Sequence, residues 1–216
     1  MHAPRKCAIA EPMSEREPVV MFSDYACPWC YLGRARLLRA IEPDRPSLIR
    51  PFPLSPDTPP EGRDIVEHLR AKGIDVTQAL ARLIPLMQEE GLEYPTDLAG
   101  RRQYSTRRAQ ELALWAQDHG THAQLEALHD RLFRAYQVEN LDVYSLDVLE
   151  RLATEVGLDG GAGRVAIERG DYASAREQAW RVAMQAGITG VPTYVVGQQG
   201  VMGAQPVEVL RRLLAG

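Results

Sequence analysis

The sequence predicts an α/β fold in which a large all-helical domain is inserted between the two halves of one sheet-containing domain. Segments of β type lie near both ends of the 216-residue chain, whereas helical periodicity runs almost without interruption from residue 63 to residue 181. A Cys-x-x-Cys motif follows the first β segment directly. Because a lone strand or hairpin is unstable in water, the two ends must meet in one sheet.

The first half of the sheet-containing domain is predicted to span residues 18–62. An apolar run over 18–23, bounded by Pro18 and Asp24, is typical of a short buried strand. Leucines at helical spacing predict a helix over 28–41. A proline-interrupted extended run over 47–54 and a proline-rich loop complete this half.

The helical block, residues 63–181, is predicted to form its own domain. Leucine and aromatic residues recur there at intervals of three and four, which is typical of helices that bury one face. We interpret these apolar stripes as core. A further helix is predicted over 171–186, with alanines along it.

The second half of the sheet-containing domain is predicted over residues 182–216. A turn at Gly190 enters the β-branched run that ends at Val196, and a short strand follows at Val201-Met202. An amphipathic helix is predicted over 206–214. Residues 1–17 are predicted to form a disordered N-terminal tail.

The tetrapeptide Cys27-Pro28-Trp29-Cys30 carries the chemistry. At a strand-to-helix junction, Cys27 lies at a helix N-terminus, where unpaired N–H groups and the helix dipole favour a thiolate. Pro28 suits the first helical turn because its missing N–H would have no partner there. Cys30, three residues on, is close enough to resolve a mixed disulfide formed at Cys27.

A zinc site is the main alternative for this motif, because Cys-x-x-Cys is also half of a four-ligand set. The only other cysteine, Cys7, lies in the predicted tail, and none of the five histidines pairs convincingly with the motif: His2, His68, His119, His122 and His129. We therefore predict redox chemistry and no metal. A metal- or redox-sensing binding protein remains the alternative from a different class.

Composition and charge exclude several classes of function. The net charge of −4 gives no general attraction to nucleic acid or to an anionic membrane. No apolar run is long enough to span a bilayer, and the N-terminus lacks the apolar region of a secretory signal. Three cysteines do not make a secreted disulfide framework. These features favour a cytoplasmic protein. Translation from Met13 instead of Met1 would remove Cys7.

Four sequence blocks in order resemble the DsbA-like branch of the thioredoxin superfamily, most closely its FrnE-like group of thiol-disulfide oxidoreductases. The resemblance spans residues 18–215 and implies a thioredoxin fold with a helical insertion. It also implies a cis proline facing the redox cysteines, at Val191-Pro192; without it, a trans turn proline would be expected. The blocks are Ser23 to Gly33, Pro51 to Gly62, Gly187 to Thr193, and Gly203-Ala204-Gln205.

Two departures from the family pattern bear on function. The FrnE-like group often has Asn-Thr and Ala-His pairs in its helical domain, where this chain has Ser105-Thr106 and Ala109-Gln110. The related kappa-class glutathione transferases and 2-hydroxychromene-2-carboxylate isomerases are similar in layout but use a serine in place of Cys27. A glutathione-dependent transferase or isomerase is therefore the alternative enzyme.

The sequence thus predicts a thiol-disulfide oxidoreductase without a cofactor beyond its redox-active disulfide, with glutathione an open co-substrate. Pro28 and Trp29 tune the thiolate, Val191 and Pro192 shape the site, and Thr193 and Tyr194 begin a strand whose edge is predicted to hold an extended substrate. Protein or small-molecule thiols and disulfides are the expected partners, and the helical domain would roof the site over an apolar pocket. The direction of catalysis and the choice between monomer and homodimer stay open.

Overall fold

A computed structural model describes residues 16–216, so Cys7 and most of the predicted tail lie outside the described residues. Of that tail, Arg16 forms an ion pair with Glu42, and the Glu17 carbonyl accepts a hydrogen bond from Arg45. The strands are β1 (Val19–Ser23), β2 (Ser47–Pro51), β3 (Arg63–Asp64), β4 (Arg102–Gln103), β5 (Thr193–Val196) and β6 (Gln199–Met202). The helices are α1 (Pro28–Ala40), α2 (Ile65–Ala71), α3 (Val76–Glu89), α4 (Arg107–His119), α5 (His122–Gln137), α6 (Leu146–Glu155), α7 (Gly160–Glu168), α8 (Ala173–Gln185) and α9 (Val207–Ala215).

Segments from both ends of the chain form one four-stranded sheet in the order β2-β1-β5-β6. β1 pairs in parallel with β2 and antiparallel with β5, which places Met21 opposite Tyr194. β5 and β6 form an antiparallel hairpin. The predicted fold class, a thioredoxin fold with a large helical insertion, is confirmed.

The two faces of β1 bury different cores, because successive side chains of a strand point to opposite sides. Met21 packs in the cluster that includes Leu37 of α1 and Leu210 of α9. Phe22 instead packs in a smaller cluster with Ala183 of α8. Helices therefore cover both faces of the sheet, and the N-terminus of α1 emerges at the end of β1.

The helices of the helical segment bury one face, as their periodicity predicts, and this face is continuous with the core that α1 and α9 form on the sheet. The fully buried side chains of α4, α5 and α6 include Leu112, Leu128, Leu132, Phe133, Leu149 and Leu152. Within residues 16–216, no helix is long and apolar enough to cross a membrane. The domain boundaries at residues 62 and 182 stay a prediction, and α8 continues through residue 182 without a break.

The prediction of nearly continuous helix from residue 63 is wrong in two places. β3 and β4 pair antiparallel, with Arg63 opposite Gln103. Strands of two residues are too short to show a period of two, so the pattern gave no signal for them. The hairpin after β5 is also tighter than expected: its turn is Gly197-Gln198, with Gly197 at φ 56°, so β6 begins at Gln199.

Candidate active site

Cys27 is the N-cap residue of α1, with an extended backbone (φ −89°, ψ 113°), and Pro28 occupies the first helical turn. The Cys27 N–H donates to the Asp24 carbonyl at 3.0 Å, which fixes the turn out of β1. No acidic residue lies in the first turn of α1. The Cys27 sulfur therefore lies at the positive end of the helix dipole, with no acidic side chain in the first turn to offset it.

The two cysteines are free thiols in unequal surroundings. Cys30 is 0 % exposed and Cys27 is 4 % exposed, whereas Trp29 between them is 36 % exposed. Burial raises the pKa of the Cys30 thiol well above its ordinary value, and the neighbouring Cys27 raises it further. Cys30 therefore stays protonated, and Cys27 is the less buried of the two thiols.

The loop before β5 faces Cys27. The Cys27 Sγ lies 3.6 Å from the Val191 carbonyl oxygen, to which the thiol can donate, and the Val191–Pro192 peptide bond is cis. Gly33, one turn beyond Cys30 on α1, lets the helix approach this loop closely. A Cβ on Gly33 would lie 2.9 Å from Pro192 Cγ and closer still to the Tyr194 hydroxyl.

Two buried hydroxyl groups lie close to Cys30. Neither Ser23 Oγ nor Tyr194 Oη makes a hydrogen bond of normal geometry with another described residue. The Ser23 hydroxyl is nevertheless near enough to the Cys30 sulfur to oppose the rise in that thiol's pKa. Burial, and after it the charge of Cys30, raises the pKa of Tyr194. A thiolate that forms on Cys30 thus has donors nearby that otherwise lack acceptors.

The prediction of a free strand edge at Thr193 and Tyr194 is wrong. β5 lies between β1 and β6, so Thr193 is opposite both Phe22 and Met202. The backbone of β5 is therefore already paired, and the Tyr194 side chain is 0 % exposed. The Tyr194 side chain lies in the interior, with its hydroxyl beside Gly33 of α1, and β5 has no free backbone edge for an extended substrate.

A buried carboxylate, Asp24, joins three segments behind the cysteine motif. It accepts hydrogen bonds from the Ala26 N–H (2.9 Å), the Leu54 N–H (3.1 Å) and the Thr106 hydroxyl (2.8 Å). Gln110 extends the network by donating toward the Thr106 hydroxyl at 3.5 Å. Burial raises the pKa of Asp24, and these hydrogen bonds oppose the rise. Thr106 and Gln110 lie in the two pairs where this chain departs from the FrnE-like pattern.

We expect Asp24 to make folding stability depend on pH. Its folded-state pKa lies above the ordinary value of 3.8, so between those two pH values the folded chain binds more protons than the unfolded chain. The contribution of Asp24 to the unfolding free energy is therefore greatest below pH 3.8 and is lost as pH rises through the folded pKa. Urea unfolding of the wild type and of Asp24→Asn across pH measures this. If the unfolding free energies of the two proteins change with pH in the same way, the prediction is wrong.

No histidine among residues 16–216 completes a group of three possible metal ligands with the two motif cysteines. His129 is buried and its Nδ1 pairs with the Tyr25 hydroxyl at 2.8 Å. Burial lowers the pKa of His129 well below its ordinary range, so the ring is neutral. Among residues 16–216, no group of three His, Cys, Asp or Glu is close enough together to hold a metal ion. The expectation that the protein needs no metal stays a prediction.

A cleft opens beside Cys27 between the start of α1 and the first part of the helical segment. Its volume is about 320 Å³, and Cys27, Pro28, Trp29 and Val191 form one end of it. The remaining walls come mainly from α2, α3 and the segments that flank them. The site-shaping residues named from the sequence thus surround one cleft, apart from Pro192, which contacts α1 behind it.

A sheet in the order β2-β1-β5-β6 with a Cys-x-x-Cys pair at the start of α1 defines a thioredoxin fold. The chain belongs to the DSBA-like thioredoxin domain family, whose sequence pattern matches residues 18–215.

Known proteins of similar sequence agree with this family. A probable DsbA oxidoreductase from Streptomyces coelicolor is 33% identical, with a TM-score of 0.82, over 92% of this chain and 88% of its own. An uncharacterized protein of Bacillus subtilis, YwbO, is 28% identical over 91% of this chain and 95% of its own.

The fold is shared more widely. The cytosolic disulfide reductase DsbM of Pseudomonas aeruginosa has a TM-score of 0.66 at 17% identity, over 92% of this chain and 97% of its own. A 2-hydroxychromene-2-carboxylate isomerase has a TM-score of 0.65 at 17% identity, over 92% of this chain and 94% of its own. At this level of identity the likeness concerns the fold alone.

Proposed function

We propose that the protein is a thiol-disulfide oxidoreductase that exchanges disulfides through Cys27 and Cys30. The observation that carries this proposal is the asymmetry of the pair. Cys27 caps a helix and contacts the Val191 carbonyl, whereas the pKa of the fully buried Cys30 is raised well above its ordinary value. An attacking thiol that lines an open cleft, beside a protonated resolving thiol, is the arrangement that dithiol exchange requires.

In the reducing direction, the Cys27 thiolate attacks one sulfur of a substrate disulfide. The substrate S–S bond breaks, a Cys27–substrate disulfide forms, and the first substrate thiolate leaves and takes a proton from water. Cys30 then loses its proton and attacks Cys27 Sγ, which releases the second substrate thiol and leaves a Cys27–Cys30 disulfide. The substrate gains two electrons and the enzyme loses two; the oxidising direction is the reverse.

Ser23 and Tyr194 would act on the second step. Loss of the proton from Cys30 is unfavourable because the sulfur is buried. The buried hydroxyls nearby, which lack other partners, can donate to the sulfur as charge develops on it. Asp24 holds the Ala26 N–H in place next to Cys27 and is a positioning residue in this scheme.

The finer assignments are part of the proposal. Membership of the FrnE-like group rests on the four sequence blocks. We propose a cytoplasmic location, with which the fold shared with the cytosolic disulfide reductase DsbM is consistent. Support for redox activity comes from the relative at 33% identity, which is described as a probable DsbA oxidoreductase. We place protein and small-molecule disulfides among the substrates.

A glutathione-dependent transferase or isomerase is the second candidate, because an isomerase of that kind shares the fold and this chain has a cleft beside Cys27. Such an enzyme activates the thiol of glutathione and has no need of a resolving cysteine. The presence of Cys30 beside Cys27 favours dithiol exchange. Reduction of a protein disulfide with dithiothreitol as the only reductant separates the two candidates, because the second requires glutathione.

We expect the oxidised protein to contain one intramolecular disulfide, between Cys27 and Cys30, with Cys7 left as a thiol. The physical reason is the common placement of the two motif thiols at the start of α1. Peptide mass mapping after mild oxidation and alkylation measures the pairing. The Cys7→Ser variant is the control and should give the same disulfide. A bond from Cys7 to either motif cysteine would contradict the proposal.

A further inference from the structure

The cleft beside Cys27 is large enough for a small organic molecule. Its volume is about 320 Å³, at the lower end of the range for small-ligand sites, roughly 300–1,000 Å³. Cys27 lies at one end, so a molecule in the cleft presents its nearest atoms to the attacking sulfur. The far walls are the apolar side chains of α2 and α3, including Leu69, Ala79 and Leu80.

Within residues 16–216, part of the apolar surface of the cleft remains exposed. α2 contains no buried residue, although Ile65 and Leu69 on this helix line the cleft. Trp29, Leu54 and Ile74, which also line it, are large hydrophobic side chains that remain exposed. Apolar side chains gathered around a reactive thiol indicate a binding surface and not an incidental exposure.

The lining of the cleft contains no Asp or Glu, and its one Lys or Arg side chain is Lys72, at the end of α2. Lys72 has no ion-pair partner within 4.0 Å in the described part of the chain. Burial, with Arg63 and Lys72 nearby, lowers the pKa of His68. Burial also raises the pKa of the Tyr94 phenol to about 12, so Tyr94 is a neutral donor.

We propose that this cleft binds the substrate, and that the substrate is a small organic disulfide with an apolar body of aromatic size and an anionic group. The apolar body contacts Leu69, Ala79 and Leu80, and the anionic group lies toward Lys72. This inference rests on the proposed function, because it assigns the chemistry of the molecule that Cys27 attacks. A small substrate also fits the observation that β5 is paired on both sides and has no free backbone groups for an extended polypeptide.

The reaction is the exchange already written, with the cleft holding the half of the substrate that becomes joined to Cys27. Cys27 attacks the substrate sulfur nearer to it, the substrate S–S bond breaks, and the other half departs as a thiolate. Cys30 then forms the Cys27–Cys30 disulfide and releases the bound half as a thiol after it takes a proton. One disulfide is reduced by two electrons for each enzyme dithiol oxidised, so a single turnover needs no other reductant.

The test is a single turnover of the reduced Cys7→Ser protein with two probes. Dithiobis(nitrobenzoate) is aromatic and anionic, whereas bis(hydroxyethyl) disulfide is small and hydrophilic. We expect the observed rate to saturate with the concentration of the aromatic probe and to remain linear with the hydrophilic one. The reaction with the first probe is monitored by the absorbance of the thiolate that it releases. The reaction with the second probe is monitored by acid quenching and mass spectrometry.

Matched variants then locate the binding surface. Ala79→Phe fills the cleft, whereas Ala81→Phe makes the same change two residues away, at an exposed position of α3 outside the lining. We expect Ala79→Phe to slow the aromatic probe about tenfold or more, since it removes the burial of an aromatic body. Ala81→Phe should leave that rate unchanged, and both variants should react normally with the hydrophilic probe.

The anionic preference has its own pair of variants. Lys72→Gln should slow dithiobis(nitrobenzoate) about two- to fivefold, the effect of one exposed charge, and should leave neutral dithiodipyridine unchanged. Arg70→Gln, on α2 but outside the lining, is the control.

Three results would overturn the inference: rates that stay linear with the aromatic probe, equal slowing of both probes by Ala79→Phe, or equal effects of Ala79→Phe and Ala81→Phe. Failure of the proposed function looks different. In that case the Cys7→Ser protein, without any substitution in the cleft, forms no Cys27–Cys30 disulfide with any probe.

Discussion

Replacement of Cys27 by serine should abolish reduction of insulin by dithiothreitol above the uncatalysed rate. Cys27 is the accessible thiol of the pair, and its position as the N-cap of α1 favours the thiolate that attacks. A serine hydroxyl at the same place is not ionised at neutral pH and cannot form a mixed disulfide. The turbidity of precipitating insulin B chain measures the rate.

Replacement of Cys30 by serine should give a different failure. Without the resolving thiol, the Cys27–substrate disulfide persists, so the variant should accumulate covalent adducts with its substrates. Non-reducing gel electrophoresis and mass spectrometry detect these adducts. Cys7→Ser is the control and should retain wild-type activity. Adducts that accumulate on Cys30 in the Cys27→Ser variant, and not on Cys27, would reverse the assigned roles.

The largest expected loss of stability is that of Gly33→Ala. The added Cβ would lie 2.9 Å from Pro192 Cγ and closer to the Tyr194 hydroxyl, so atoms must move apart. Tyr194 is 0 % exposed and cannot swing into solvent. Overpacking of this kind costs about 1–3 kcal/mol of unfolding free energy. Because the contact joins α1 to the loop that faces Cys27, exchange should also slow.

Gly161→Ala is the matched control for Gly33→Ala. Gly161 lies in α7, and the nearest atom to its added Cβ is a carboxylate oxygen of Asp159 at 3.6 Å, an ordinary contact. Alanine is the better helix former, so this variant should be as stable as the wild type or slightly more stable. Urea unfolding compares the two. An equal effect of both substitutions would show that the contact at Gly33 has no special cost.

The fold could be predicted from the sequence where a local pattern carried the information. The apolar run before Cys27, the leucine periodicity of the helical block and the turn at Gly190 each determine an element by themselves. The meeting of the two chain ends followed from the instability of a lone strand. The position of Cys27 at the start of α1 followed from the same junction of strand and helix.

The polar groups of the site could not be predicted in the same way. Asp24 and Thr106 are 82 residues apart and meet only because α4 packs behind the cysteine motif. Neither residue belongs to a local pattern that reveals the pairing. Asp24 does lie close before Cys27, in a turn that must be stabilised. The N–H groups of such a turn need acceptors, so an acidic residue inside it was the one hint in the sequence that Asp24 is buried and hydrogen-bonded.

The error at Thr193 and Tyr194 has a physical cause that the sequence contained. The run Thr193-Tyr194-Val195-Val196 is apolar on both faces, which is typical of a strand covered on both sides and lying inside a sheet. Alternation of apolar and polar residues would have favoured a half-exposed strand. The run therefore indicated a central strand, and a central strand has no free edge for a substrate.

The redox equilibrium of the Cys27–Cys30 pair tests the central claim most directly. The protein is equilibrated in glutathione buffers and in dithiothreitol buffers, which together cover oxidising and reducing potentials. The fraction of alkylated thiols is measured by mass. For the Cys7→Ser protein we predict a single transition of a two-electron couple, in which the ratio of oxidised to reduced protein changes tenfold for about 30 mV. We predict no transition when either motif cysteine is replaced by serine. A pair that stays reduced at every potential, or that purifies with stoichiometric zinc, would contradict the account.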